Sequence, residues 1–328
     1  MWKSARRFLE SPLVRVFGAL FVVLTIGCAF HADGAFLRFE THRDTWRELA
    51  VRGLLAAGLT PVILAGGIDL SVGSILGFSA VLFAKLSLAE RWHPLAAVLA
   101  TLLAGVALGS CNGLLVALFK IQPFVATLAT MTAARGLAKS LAGGRKISTA
   151  IERSDGSFDY LAPPEFFEFC NGRVLGETIA VVTVVLMVLL GALHLLLAHF
   201  VVGRRIYAVG DNVEAARLAG VPIAPTKILA YAVSGLAAGV AGVCQATQEY
   251  QGDPEAGAGY ELSAIAMVVI GGTALTGGRG GVGLTAVGVL VIGYLEKILS
   301  LNAVEESGRL VLTGVIIVLA VLLQRRSA

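Results

Sequence analysis

Apolar runs of membrane length recur along almost the whole chain, and they constrain its fold more than any other feature. A helix needs about 20 apolar residues to cross a bilayer. Ten segments approach or meet that length: 12–30, 47–66, 70–88, 94–118, 123–142, 177–200, 227–247, 261–275, 281–300 and 309–324. They are continuous and do not alternate over strands of about ten residues, which argues against a membrane β-barrel. Of 328 residues, 56% are hydrophobic and only 15% are charged, where a soluble domain carries about 25% charge. The 39 glycines suit helices that pack closely in a membrane. The expected fold is all-α: one polytopic domain over residues 1–328 with about ten transmembrane helices. The eighth segment is short enough to be broken or re-entrant. Segments two and three nearly touch through Gly66-Gly67-Ile68-Asp69-Leu70-Ser71, a polar break that suggests a kink.

One polar insert stands out, at residues 203–226 between two of these runs. Asp211 is expected to cap a helix, with Glu214 three residues on in the capping-box position. Val213 to Ala219 then reads as helix, and Gly220 followed by Pro222 stops it. Two turns are too short to stand alone in water. Ala215, Ala216 and Ala219 are small enough to let another surface come close, so the segment reads as a docking helix that needs a partner.

Orientation follows the positive-inside rule. Lys3, Arg6 and Arg7 precede the first span, and Arg325 and Arg326 follow the last. An even span count puts both termini, Lys120, the 203–226 insert and Arg279 inside. The acidic loop with Glu249, Asp253 and Glu255 falls outside. Loop 143–176 falls outside too, although it carries Arg145, Lys146, Arg153 and Arg173. Its Pro163-Pro164 pair and its aromatics, Phe158, Tyr160, Phe166, Phe167 and Phe169, suit a short helix at the interface. They fit either a headgroup-level belt or a partner contact. The basic start followed by the Val16–Phe30 run resembles a signal peptide, but an uncleaved first span is the expectation.

No residue pattern suggests bond chemistry. Cys28, Cys111, Cys170 and Cys244 are far apart in sequence, so no metal or redox spacing exists. Cys28, Cys111 and Cys244 lie in apolar runs and are expected in the core. Gly278-Arg279-Gly280-Gly281-Val282-Gly283 matches G-x-G-x-x-G, but it joins two helical runs and has Leu284 where a phosphate loop needs lysine. It is read as a turn. No catalytic residue, metal or cofactor is expected, and the scattered positive charge gives no footprint for nucleic acid. His194, alone in a leucine-rich run, is expected to be packed.

Charge inside a membrane span is costly and often functional. Lys85, Lys139, Glu296, Lys297, Arg309 and Arg52 lie near span ends and are expected to snorkel. Arg135 is deeper, and either faces a polar path or bonds a neighbouring helix. Asp69 reads first as an N-cap for the third span and second as a path residue, together with Ser71. Asn112, Gln122 and Thr127 form another polar series, suited either to a sugar path or to bonding between helices.

Several stretches together resemble a known family. They are Gly67-Ile-Asp-Leu-Ser-Val-Gly-Ser74, Ile121-Gln-Pro-Phe-Val-Ala-Thr-Leu128, Val209-Gly-Asp-Asn-Val-Glu-Ala-Ala-Arg-Leu-Ala-Gly220 and Gly259-Tyr-Glu-Leu-Ser-Ala-Ile-Ala266, followed by Val269-Ile-Gly-Gly-Thr-Ala-Leu-Thr-Gly-Gly-Arg279. In this order they look like the permease subunits of bacterial ABC sugar importers, most of all the ribose, xylose, galactose and galactofuranose group. The resemblance implies an inner-membrane permease working by alternating access beside a second permease copy or a sibling. A cytoplasmic ATP-binding subunit would supply the energy, and a periplasmic sugar-binding protein would deliver the sugar through the outer face. Asp211, Asn212, Glu214, Ala215, Ala216, Arg217 and Gly220 would then form the coupling helix, with Ala216 against the ATPase. The chain itself would be no enzyme. A self-sufficient carrier or channel for a small polar solute is the rival reading, and it has no need of a docking helix.

Overall fold

The computed structural model describes residues 12–152, 158–160, 162–305, 307–309, 311–312, 314–315 and 318. Twelve α-helices are named here: α1 Pro12–Ala29, α2 Phe39–Leu64, α3 Val72–Ala84, α4 Pro94–Ala117, α5 Pro123–Ala142, α6 Glu165–Asn171, α7 Val181–His199, α8 Val201–Asp211, α9 Val213–Leu218, α10 Ile223–Glu249, α11 Tyr260–Ile270 and α12 Val282–Leu301. A π-helical turn, Lys85–Ala89, extends α3. Five of the described helices are long and apolar enough to cross a membrane: α3 with its extension, α4, α7, α10 and α12. The described residues between 307 and 318 are helical. The basic residues at both chain ends lie outside the described residues.

The connections alternate between two ends of the bundle. One end carries the ends of α2 and α4, then α8, α9 and the 271–281 turn; it is called the α9 face. The other carries the loops at 30–38, 90–93, 143–180 and 250–253. Three two-stranded ribbons decorate that opposite face: Ile147–Ser148 with Gln251–Gly252, Ala150–Glu152 with Phe158–Tyr160, and Arg173–Val174 with Ile179–Ala180. Loop 143–176 therefore lies on the same side as the acidic loop at 249–255. The ribbons are too short to change the all-α class.

The core seam is the pair α4 and α10. Gly105, Gly109 and Gly113 fall at every fourth residue of α4 and so share one face. A methyl group on Gly105 would sit 2.6 Å from the Gly235 carbonyl oxygen, and one on Gly113 would sit 2.6 Å from Ile228 Cα. Backbone thus meets backbone, the arrangement that small residues permit in membranes. The opposite side of α4, with Leu95, Leu99 and Leu103, is exposed. Cys28 and Cys111 are also exposed, contrary to the expectation that they fill the core; Cys244 is buried. His194 is exposed as well. In each case the rotation of the helix turns the residue outward, and rotation is set by packing partners that the residue's own span does not reveal.

Two spans are broken. After α2, residues 66–71 leave the α9 face in non-helical conformation and climb into the bundle before α3 begins. Asp69 meets Ser234 there, eleven residues into α10 and so about 16 Å along that helix. The second break is 251–259. Gly252 packs against Ala80 and Val81, near the far end of α3, and Gly257 packs against Gly73 near its start. This segment therefore runs back into the bundle beside α3, and only then does α11 begin. The short eighth segment predicted at 261–275 is the eleven-residue α11 and the start of the turn after it, and the strap precedes it.

Overpacking a tight seam costs about 1–3 kcal/mol and often more. Gly109→Val is therefore expected to lower the melting temperature of the detergent-solubilised protein sharply or to prevent folding. Gly136→Val, where a side chain would meet nothing within 4 Å, is expected to leave it within a few degrees of the parent. Equal melting of the two variants would contradict the seam.

Candidate functional site

Three local constellations carry the polar chemistry of the molecule. The first surrounds the break at 66–71. Asp69 is fully buried. Its Oδ1 accepts from the Ser71 amide at 2.9 Å and from the Ser71 hydroxyl at 2.6 Å. Its Oδ2 accepts from the Ser234 hydroxyl at 2.8 Å, and Asn112 Nδ2 donates to Ser71 Oγ at 2.8 Å. The residue at the N-cap position of α3 is Ser71, which makes no side-chain cap bond. Asp69 thus serves the free amide from two residues upstream and ties α3 to α4 and α10 at once. Thr127 bonds back to the carbonyls of Pro123 and Phe124 in its own helix and is buried. Gln122 sits exposed at the N-cap of α5. Of the polar candidates, then, Asp69, Ser71 and Asn112 come together in one buried network, while Gln122, Thr127 and Arg135 lie apart from it.

The second constellation holds the strap. Arg135 Nη1 donates to the carbonyl oxygens of Pro254 at 2.5 Å and Ala256 at 2.8 Å. Gly77 on α3 makes room for that guanidinium. Lys139, one turn further along α5, pairs with Glu255 at 2.6 Å, and Lys146 pairs with Asp253 at 2.8 Å. Partial burial acts to raise the Asp253 carboxyl, but the Lys146 hydrogen bond, the Glu255 amide and the neighbouring charges outweigh it and hold it below its ordinary value. The same hydrogen bond and charge push the Lys146 ammonium up. Other charges near span ends are also paired rather than snorkelling alone: Lys297 with Glu48 at 2.8 Å, and Arg52 with Glu296. On the opposite face Arg173 pairs with Asp44 at 2.8 Å, and Arg47 bonds Asn171. Lys146 and Arg173 of loop 143–176 are thus neutralised by acidic partners on their own side. The loop aromatics divide: Phe167 is buried and stacks on Phe83 at 5.3 Å, while Phe169 and Tyr160 are exposed. Burial pushes the nearby Cys170 thiol up to about 11.

The third constellation is α9. Its cap is Asn212, whose Oδ1 accepts from the Ala215 amide at 2.9 Å. Asp211 is not the cap as expected from the sequence; α8 runs one residue further and absorbs it. Glu214 does not reach back for a capping box either, but pairs with Arg217 at 2.5 Å. Gly220 ends the helix with φ 77°, and the amides of Gly220 and Val221 reach the carbonyls of Arg217 and Ala216, each at 3.0 Å. These two bonds are the Schellman termination that a left-handed residue makes possible. Ala216 is buried against the chain itself, so its expected place at an outside surface is corrected. Leu218 is instead the bare side chain, 87% exposed. Behind α9, Gly278 donates its amide to the Leu64 carbonyl at 3.0 Å and packs on Asp211. The glycine-rich 277–281 stretch is a turn on the α9 face with no strand before it.

Comparisons with known proteins give the family. A family model described as the permease component of the branched-chain amino acid transport system covers residues 46–321. The chain belongs to that permease family. It is 40% identical to the ribose import permease protein RbsC of Bacillus subtilis over 282 residues, 86% of this chain and 84% of that one. It is 37% identical to RbsC of Escherichia coli K12, over 98% of both chains. Identity to the xylose transport system permease protein XylH of Escherichia coli K12 is 31%, over 95% of this chain and 92% of that one. No solved structure matches. The permease is a multi-pass membrane protein, and members of its family transport without being enzymes themselves.

The strap pairing has a pH signature. A carboxylate with a lowered folded pKa contributes stability above its unfolded value, about 3.9, and loses it as the pH falls through the folded value. The raised Lys146 keeps its share below the unfolded lysine value, about 10.4, and loses it as the pH rises through the folded one. Asp253→Asn is thus expected to lower the melting temperature of the permease near pH 7. The difference from the parent should begin to shrink as the pH falls below the unfolded value, about 3.9, and vanish only once the pH is below the lowered folded value. A difference that stays constant as the pH is lowered from neutral through the whole carboxylate range would rule out the pair as its source.

Proposed function

We propose that this permease is the membrane subunit of an ATP-driven importer of a simple sugar of the ribose or xylose kind, and that α9 is the seat of a separate cytoplasmic ATPase. The observation that carries this reading is α9 itself. A six-residue helix is unstable alone, yet this one is capped at both ends and presents a leucine and an ion pair outward. Such a surface fits a groove in a partner. A self-sufficient carrier needs no such element, and the names of the relatives, ribose and xylose permeases, favour the importer.

The sidedness follows from charge. Lys120, Arg204, Arg205, Arg217, Lys227 and Arg279 all belong to the α9 face, against Asp211 and Glu214. These positive residues support a cytoplasmic α9 face in the inner membrane of a bacterium, with both termini on that side. The opposite face, with its paired charges and exposed Tyr160, Phe169 and Leu175, would receive the sugar-binding protein.

The sugar path belongs on the outer side of α5. Gln122, Thr132 and Ser140 are exposed there beside Ala129, Ala133 and Gly136, a mostly polar and small stripe that also carries Val125. A second permease copy or a sibling would close the path against this stripe. Asp69, Ser71, Asn112 and Thr127 then hold the wall behind it, and Arg135 holds the strap. The ATPase drives the change between outward and inward forms through its different affinity for the two.

Two measurements test the reading. Cysteine placed at 214 should be labelled only from the cytoplasmic side and cysteine at 255 only from outside; the reverse pattern would overturn the topology. Burying a leucine is worth roughly 1.5–3 kcal/mol, so Leu218→Asp should weaken ATPase association about ten- to hundredfold. Membrane insertion should be unchanged. An ATPase that copurifies normally and is stimulated normally by sugar-loaded binding protein would defeat the docking assignment.

A further inference from the structure

Resting on the importer reading, we propose that the strap 251–259, α11 and the 271–281 turn form one transmitting element between the α9 face and the outer face, with Arg135 as the positioning residue that latches its outer end. At its inner end the turn touches the ATPase seat directly: Gly277 and Gly278 pack on Gly210 and Asp211, the residues that lead into α9, and Gly278 bonds Leu64. At its outer end the strap pairs with Ile147–Ser148 and carries Asp253 and Glu255 to Lys146 and Lys139. Between them lies α11, a rigid rod of eleven residues.

Both ends of that rod are built to bend. Gly257 and Gly259 before it, and Gly272, Gly277, Gly278 and Gly280 after it, all have φ between 73° and 128°, a region that glycine enters at no steric cost. The rod does not share backbone hydrogen bonds with α5. What joins α5 to the strap ahead of the rod is Arg135 on the Pro254 and Ala256 carbonyls, and the Lys139–Glu255 pair open to water. Exposed pairs of this kind break cheaply. The Arg135 bonds are different, because Pro254 is buried and its carbonyl would lose its partner with little water to replace it. Arg135 therefore decides whether the strap is seated on α5. Movement of α9 shifts the 277–278 turn, tilts α11, and parts the strap from α5 beside the polar stripe.

The test uses the complete complex in proteoliposomes, with the four native cysteines replaced by alanine and with Lys139→Cys and Glu255→Cys introduced. Sugar uptake by the unbridged pair reports on the importer reading separately from the latch. Bridging the two thiols with a short cleavable bis-maleimide should cut uptake at least tenfold, and cleavage should restore it. Uptake at the unbridged rate after complete bridging would overturn the proposal. Arg135→Gln should lower the ratio of stimulated to basal ATP hydrolysis at least tenfold, with Arg135→Lys recovering part of it. A variant that lowers only the amount of assembled complex, with that ratio unchanged, would give Arg135 a purely structural role and likewise overturn it.

Discussion

Backbone that leaves the helical path inside a membrane must have its amides and carbonyls met by protein, because the lipid offers nothing. Among its described residues this permease breaks that path at 66–71 and at 251–259, and much of its polar chemistry serves those two breaks. Asp69 with Ser71, Ser234 and Asn112 secures the first. Arg135 secures the second. The breaks are complementary: one rises from the α9 face to start α3, the other descends from the opposite face to start α11. The starts of those two helices meet where Gly73 packs against Gly257 and Glu261. Helices interrupted inside the bundle recur in membrane transporters.

The spans were largely legible in the sequence, since length and apolarity are properties of a run taken alone. Predicted segment 123–142 coincides with α5, and the short eighth span was visible as an anomaly. The 203–226 insert gave a short helix and its glycine stop correctly. The cap moved by one residue because α8 continues through Asp211, and nothing local marks where one of two consecutive helices yields to the next. The inward turn of Ala216 and the outward turn of Leu218 depend on how α9 lies over its own chain. Six residues have no periodicity long enough to reveal that.

Charges were the hardest to read. Lys139, Lys297 and Arg52 looked like solitary residues reaching for water, yet each has an acidic partner more than a hundred positions away. Of the positive residues of loop 143–176 that seemed misplaced by the positive-inside rule, Lys146 and Arg173 have acidic partners too. Lys146 and Asp253 meet only because the ribbon 147–148 with 251–252 brings their loops together. Pairing across such distances is a property of the fold, so a sequence read span by span shows the charges without their partners.

The α4–α10 seam has a consequence for how this protein can change over time. At Gly105, Gly109 and Gly235 the two helices touch through main chain alone. Every possible replacement adds atoms, and none removes any. Elsewhere in the bundle a larger residue on one helix can be answered by a smaller one on its neighbour. Here the neighbour has nothing left to give up, so single steps lead only away from a folded protein. Sequence drift and design alike must work around this seam, and new substrate preferences have to arise on helices whose contacts are made by side chains.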